Sequence, residues 1–223
     1  MSTKPQPPAA RTSPSAASLT ERRKAATQLE IAHAAAELFT ELGPDATTTE
    51  AIAARAGVGL RTFYRYFRNK QDAVGPLLAV GGEQWRARLA ATDPGTPLPA
   101  ALHSAVADAL TPADEAAADG LRQARGLLRA AAEDPALRAV WYRVNQESEE
   151  QLRPVLAALM GPDTDPLRVR LAAATATAAI RIALETWADP ERTPDASAPD
   201  ADVRGPGSPA DLAGQCLRAL MPE

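Results

Sequence analysis

Residues 47 to 70, TTTEAIAARAGVGLRTFYRYFRNK, constrain this chain more than any other stretch. Two short helical patterns meet there at a glycine. The first runs from Thr49 to Arg55 and puts Ile52 and Ala53 on one face. Gly57 and Val58 form the turn, because glycine reaches positive φ without steric cost. The second runs from Leu60 to Phe67. It sets Phe63 and Phe67 four apart on a buried stripe and turns Arg61, Thr62, Arg65 and Tyr66 away from it. A helix, a tight turn, and a second helix with arginines, a hydroxyl and tyrosines on its outer face fit the major groove of duplex DNA.

This stretch resembles the DNA-reading head of the tetracycline-repressor (TetR) family. The family pattern is met by Thr48, Ile52, Ala53, Ala56, Gly57, Val58, Thr62, Phe63, Tyr64, Tyr66, Phe67, Asn69 and Lys70. Gly59 stands where the family usually has serine at the start of the recognition helix, a weaker cap by a few tenths of a kcal/mol, ~0.3. The motif match is confined to about residues 25 to 75. The resemblance implies an all-α fold. An N-terminal three-helix helix-turn-helix head would be followed by a helical body for effector binding and dimerisation.

Composition agrees. Hydrophobic residues make up 45% of the 223, enough for a core, but aromatics only 4%. Abundant alanine lets helices approach closely, and no alternating β-branched runs compete. The net charge of −4 is unevenly spread: residues 1–70 carry ten Lys and Arg against six Asp and Glu, while 71–223 carry fourteen against twenty-two. Positive charge therefore gathers around the reading motif, and the acidic remainder disfavours DNA elsewhere. Residues 1–19 lack the apolar segment of a secretory signal, and Arg181 interrupts the apolar run from Val169 to Trp187. One cysteine, Cys216, excludes an intramolecular disulfide. A cytoplasmic protein without membrane contact is expected.

Punctuation divides the chain. Residues 1–19, rich in Pro, Ser and Ala, read as a disordered arm. Residues 20–70 form the head; its first helix starts near Thr20 and is stopped by Gly43-Pro44. Residues 71–223 form the body. Asn69 can cap a fourth helix running from Lys70 towards Ala91, with a kink expected at Gly75-Pro76. Further helices are predicted at Leu98–Leu110, Asp114–Ala132, Pro135–Met160 with a kink at Pro154, Pro166–Trp187, and Leu212–Leu220. Residues 189–209 hold five prolines and no apolar pattern, which predicts a flexible loop.

Arg61, in the first turn of the recognition helix, is the candidate for base reading, since guanidinium bonds guanine bidentately; a phosphate contact or a solvated side chain are its rivals. Leu60 and Thr62 can meet a thymine methyl, and Thr62 alternatively a phosphate. Thr48 suits both helix capping and phosphate binding. By resemblance, Tyr64, Tyr66 and Lys70 contact phosphates; partial burial against the first helix is the alternative for Tyr64. Phe63 and Phe67 belong to the core.

In the body, the resemblance places a ligand pocket among the middle helices. Trp85, Trp141, Tyr142, His103, Asn145 and Arg181 are its candidates, against ordinary packing for the tryptophans and ordinary surface for His103 and Arg181. His33 and His103 with Cys216 make a poor metal set, and no metal or cofactor is expected. No nucleophile with a matching base, phosphate-cradling loop or carboxylate pair stands out, so catalysis is not expected. Pro166 to Trp187 carries two apolar stripes: Leu167, Leu171, Ala174, Ala178 and Ile182, then Val169, Ala173, Ala176, Ile180 and Leu184. A helix apolar on two faces needs partners on both. By resemblance it would join the last helix in a dimer interface, with Leu171, Ala174, Ala178, Ile180 and Ile182 at the seam.

The function implied is a homodimeric transcriptional repressor that reads a palindromic double-stranded operator and is released by a small, largely apolar effector. An activator, a ligand-independent regulator, and a helical ligand-binding or scaffold protein without DNA reading are the alternatives.

Overall fold

The computed structural model describes residues 19–93, 95–191 and 202–220. The expected arm lies outside them except for Leu19, as do residues 192–201 of the expected loop. Every regular element among the described residues is helical. In order these are α1 (Leu19–Ala46), α2 (Thr49–Arg55), α3 (Leu60–Tyr66), a 3-10 turn (Asp72–Val74), α4 (Gly75–Ala90), α5 (Leu98–Leu110), α6 (Glu115–Glu133), α7 (Pro135–Met160), α8 (Pro166–Ala188) and α9 (Pro209–Leu220).

Local chemistry sets the boundaries. The Thr48 hydroxyl accepts from Ala51 N–H at 3.1 Å and opens α2. Asp114 caps α6 through Ala117 N–H at 2.8 Å, and Asp134 caps α7 through Ala136 N–H at 2.7 Å, ahead of a proline that has no N–H to satisfy. Gly43 adopts φ 81° and turns the end of α1. The single helix expected from Lys70 is corrected: a 3-10 turn precedes α4, which starts at Gly75 with Pro76 in its first turn, where its missing N–H costs nothing. Asn69 caps that 3-10 turn, its Oδ1 accepting from Asp72 N–H at 2.8 Å. Pro154 lies inside α7. Pro154 and Glu150 are both exposed, so the carbonyl left without a donor meets solvent.

Two main apolar clusters organise the chain. The first joins Ile31, Leu38 and Phe39 of α1, Ile52 and Ala53 of α2, and Phe63 and Phe67 of the recognition motif. Burying Phe63 completely contributes about 2 kcal/mol. The same cluster takes in Ala73 and Val74 of the 3-10 turn, Leu127 and Ala131 of α6, and Leu137 of α7, so apolar packing continues across residue 70. The second cluster packs α4, α5, α7, α8 and α9 around Trp85, Leu102, Leu152, Ala176 and Trp187.

Within 189–209, where no apolar anchor was expected, Val203 is 1% exposed and joins the body core. The carbonyl of Asp202 accepts from Trp187 Nε1, and the guanidinium of Arg125 lies 5.1 Å from the Trp187 ring centroid. A single valine flanked by polar residues leaves no periodic trace in sequence.

Candidate nucleic-acid interface and effector cavity

The turn between α2 and α3 is fixed by Gly57 at φ 66° and by Val58 N–H donating to Ala53 O at 2.9 Å. Gly59 O accepts from Thr62 and Phe63 N–H at 2.8 and 3.1 Å, starting α3 without a side-chain cap. Phe63 and Phe67 point inward, ring centroids 5.6 Å apart, which fixes what points outward. Thr48, Leu60, Arg61 and Tyr64 are exposed and Thr62 is half-buried. Arg61 and Arg68 are exposed and have no ion-pair partner among the described residues.

Two other groups are already engaged. Arg55 bonds Glu41 at 2.9 Å and Glu37 at 3.2 Å, pinning α2 to α1; the hydrogen bond from Arg55 holds the Glu41 carboxyl below its usual range. Tyr66, expected to face outward, is half-buried against the first cluster; its hydroxyl accepts from Arg65 Nη2 at 3.2 Å. Tyr64, by contrast, is 54% exposed, so burial against α1 is not its role.

Lys70 is the residue whose local role sequence reasoning missed. Its Nζ donates to Pro44 O at 2.7 Å and Thr47 O at 2.8 Å, tying the start of the 3-10 turn to the α1–α2 junction. Thr47 itself is buried, its hydroxyl within 2.8 Å of Gly43 O. Carbonyl acceptors belong to every residue type, so no sequence signal marks such a contact.

In the body a cavity of about 170 Å³ opens between α4, α5, α7 and α8. Trp85, Trp141 and Asn145 line it, together with Leu78, Gly82, Arg86, Ser148, Thr177 and Ile180. Trp141 is held by its Nε1–H, which donates to Glu185 Oε1 at 2.8 Å, while Glu185 Oε2 accepts from Arg181 at 2.8 Å. Arg181 is therefore outside the cavity wall, a correction to its expected place. It stands behind Trp141 and positions it through Glu185. His103 is also corrected. Its Nδ1 lies 3.0 Å from Pro99 O and its Nε2 3.2 Å from Gly214 O, so it bridges α5 and α9 away from the cavity. Arg86, Ser148 and Thr177 were not anticipated, since packing alone brings them together.

The two stripes of α8 part company. Leu167 is 68% exposed, Leu171 64% and Ile182 41%, with Ala174 and Ala178 half-buried between them. Val169, Ala173 and Ala176 are buried in the body core, where Ile180 and Leu184 also pack. Ile180 is thus corrected from the outer seam to the cavity wall.

A helix-turn-helix with an outward-facing recognition helix, mounted on a helical body, defines a DNA-binding transcriptional regulator. The model for bacterial regulatory proteins of the tetR family matches residues 31–74. The HTH-type transcriptional regulator TcmR of Streptomyces glaucescens is 29% identical over 184 residues, 81% of each chain. In fold, a TetR-family regulator from Syntrophomonas wolfei matches with TM-score 0.58 and 16% identity over 88% of this chain and 94% of its own. The fatty acid degradation regulator FadR from Bacillus halodurans matches with TM-score 0.51 and 17% identity over 88% and 95%. Residues 31–74 are thus similar to the tetR family of bacterial regulatory proteins, and the chain as a whole is similar to the regulator TcmR. Its matched relatives are transcriptional regulators rather than enzymes. No helix among the described residues is long and apolar enough to cross a membrane, and no group of three or more His, Cys, Asp or Glu side chains there could hold a metal ion.

Proposed function

We propose that the chain is a homodimeric repressor that leaves a palindromic operator when a small molecule fills the body cavity. Residues 20–70 are the reading unit and residues 71–223 the effector and pairing unit, acting in the cytoplasm. In the reading unit, Arg61 bonds a base, Leu60 and Thr62 meet the groove floor, and Thr48, Tyr64, Tyr66 and Lys70 meet phosphates. Tyr66 and Lys70 do so while keeping their contacts within the head.

The observation that carries this reading is the position of α4. It starts directly after the 3-10 turn that packs under α1, and its Leu78 both lines the cavity and touches the head cluster. A molecule that binds the non-DNA conformation more tightly can therefore act on the head through one rigid helix. Two recognition helices must span one turn of duplex, about 34 to 36 Å, so a small change in their spacing disfavours simultaneous docking. The exposed α8 stripe of Leu171, Ala174, Ala178 and Ile182 suits a two-fold seam, where the same patch meets itself.

Selection from random duplexes tests the reading. A palindrome should be enriched and bound by two chains, and compounds that raise the melting temperature should lower affinity for it. Enrichment of no palindrome at moderate salt would overturn the operator, and stabilising compounds that never change DNA affinity would overturn induction.

A further inference from the structure

We infer that the effector is an organic acid: a flat apolar body against Trp85 and Trp141, with a carboxylate or phenolate on the guanidinium of Arg86. This rests on the reading of the cavity as the effector site.

Arg86 is the cationic side chain of the cavity wall. It is half-buried, and its Nη1 donates to the neutral hydroxyl of Ser148 at 3.0 Å. No ion pair to Arg86 occurs among the described residues. Of the two carboxylates at the wall, Glu147 lies 3.8 Å from Arg143, while Glu83 is exposed. Burial holds the Arg86 guanidinium below its ordinary value, and the charge of Glu83 partly opposes this. A partly desolvated cation with only a neutral partner gains most from an anion delivered by a ligand.

The surroundings look built for that meeting. A Cβ on Gly82 would lie 3.0 Å from Ser148 Oγ and 3.1 Å from Arg86 Nη1, so the bare backbone there makes room for the pair. Thr177 is 8% exposed at the wall, and its Oγ1 has no hydrogen-bond partner among the described residues. A buried hydroxyl left so is costly, and a polar substituent on the ligand would satisfy it. Trp141 offers the ligand its ring, since its N–H is already bonded to Glu185. The volume of about 170 Å³ is close to that of a cavity that takes up one benzene ring, about 150 Å³. A cationic ligand finds no equivalent, because the wall carboxylates are solvated or paired.

Three isosteric probes separate the possibilities: 2-naphthoate, 2-naphthamide and 2-naphthylmethylammonium, titrated into the full-length protein by calorimetry and by quenching of tryptophan fluorescence. The acid should bind at least about tenfold tighter than the amide, and the ammonium weakest. In Arg86→Met the preference for the acid over the amide should disappear, with a cooperative thermal melt reporting that the variant is folded. Arg86→Lys should keep the preference for the acid, and covers the case in which the methionine variant does not fold. Equal binding of acid and amide, or preference for the ammonium, overturns the inference and leaves the effector cavity standing. Acid binding undiminished in Arg86→Met overturns the role of Arg86. If none of the three binds at millimolar concentration, both the acid and the effector cavity fall. An acid that binds through Arg86 yet releases no operator upholds the ligand class and counts against the proposed induction alone.

Discussion

Arg143 on α7 and Asp72 in the 3-10 turn lie 2.8 Å apart, an ion pair that joins the flank of the cavity to the base of the reading head. On its other side Arg143 is 3.8 Å from Glu147, which lines the cavity. One guanidinium thus stands between a carboxylate of the 3-10 turn below the head and a carboxylate of the cavity. A parallel tie runs from Gln71 Nε2 to Asp134 Oδ2 at 3.3 Å, and Asp134 is also the cap of α7.

The first prediction concerns that bridge. Arg143 is half exposed, so Arg143→Met should change stability by less than about 1 kcal/mol. DNA affinity without ligand should stay near that of the parent. With a compound that releases the parent, however, the variant should need several-fold more of it. Operator titrations with and without that compound measure the difference, and an unchanged requirement removes Arg143 from the coupling.

Arg61 and Lys70 should separate under mutation. Arg61→Ala is expected to cost about 1 to 3 kcal/mol on the cognate operator and to relax preference at one base position per half-site. Lys70→Ala should make the salt slope shallower by about one unit on every sequence. Because Lys70 Nζ also holds Pro44 O and Thr47 O, the variant should unfold more easily too, by about 2 kcal/mol. Binding at several salt concentrations, paired with denaturant unfolding, tests both; loss of DNA binding with unchanged stability would mean those backbone contacts contribute nothing.

How far the sequence could be read depended on whether the signal was local. The reading motif was legible because Gly57, the Phe63–Phe67 spacing and the outward arginines all lie within a dozen residues of one another. The cap at Thr48 was legible for the same reason. The polar wall of the cavity was not: Arg86 and Ser148 are 62 positions apart and meet only because α4 packs on α7. Nor could the two stripes of α8 be told apart, since alanine and branched aliphatic residues occur on both. Only the packing shows that Ile180 faces inward and Leu171 outward.

That difference gives opposite expectations for two substitutions on α8. Ala178→Arg places a charge on the half-exposed stripe, so the variant should fold normally and lose dimerisation. Ile180→Asp places one in the cavity wall, where an unpaired buried charge costs several kcal/mol, ~3. It should melt earlier while any folded fraction still dimerises. Sedimentation and thermal melts distinguish these outcomes, and a fully dimeric Ala178→Arg protein moves the seam elsewhere.

Gly82→Ala sets helix propensity against crowding. Alanine in a helix interior is favoured over glycine by about 1 kcal/mol. The added methyl would press on Ser148 Oγ and Arg86 Nη1 at 3.0 and 3.1 Å. The variant is expected to melt at or above the parent temperature and to bind acidic probes more weakly. Calorimetry with 2-naphthoate alongside a melting curve checks both; a less stable variant with undiminished binding reverses the expected balance.

The opposed faces of α8 also bear on how such a regulator can diversify. Ile180 and Leu184 shape the chamber, while Ala178 and Ile182 lie on the outer face of the same two turns. With the seam proposed on α8, a duplicated copy that drifts toward a new signal by changing that helix risks disturbing partner choice in the same step, including mispairing with its parent. Changes on α4 or α7, at Arg86 or Ser148, carry no such burden. Divergence of chemical taste among descendants should therefore accumulate on α4 and α7, with α8 held back as the element that keeps sister copies apart.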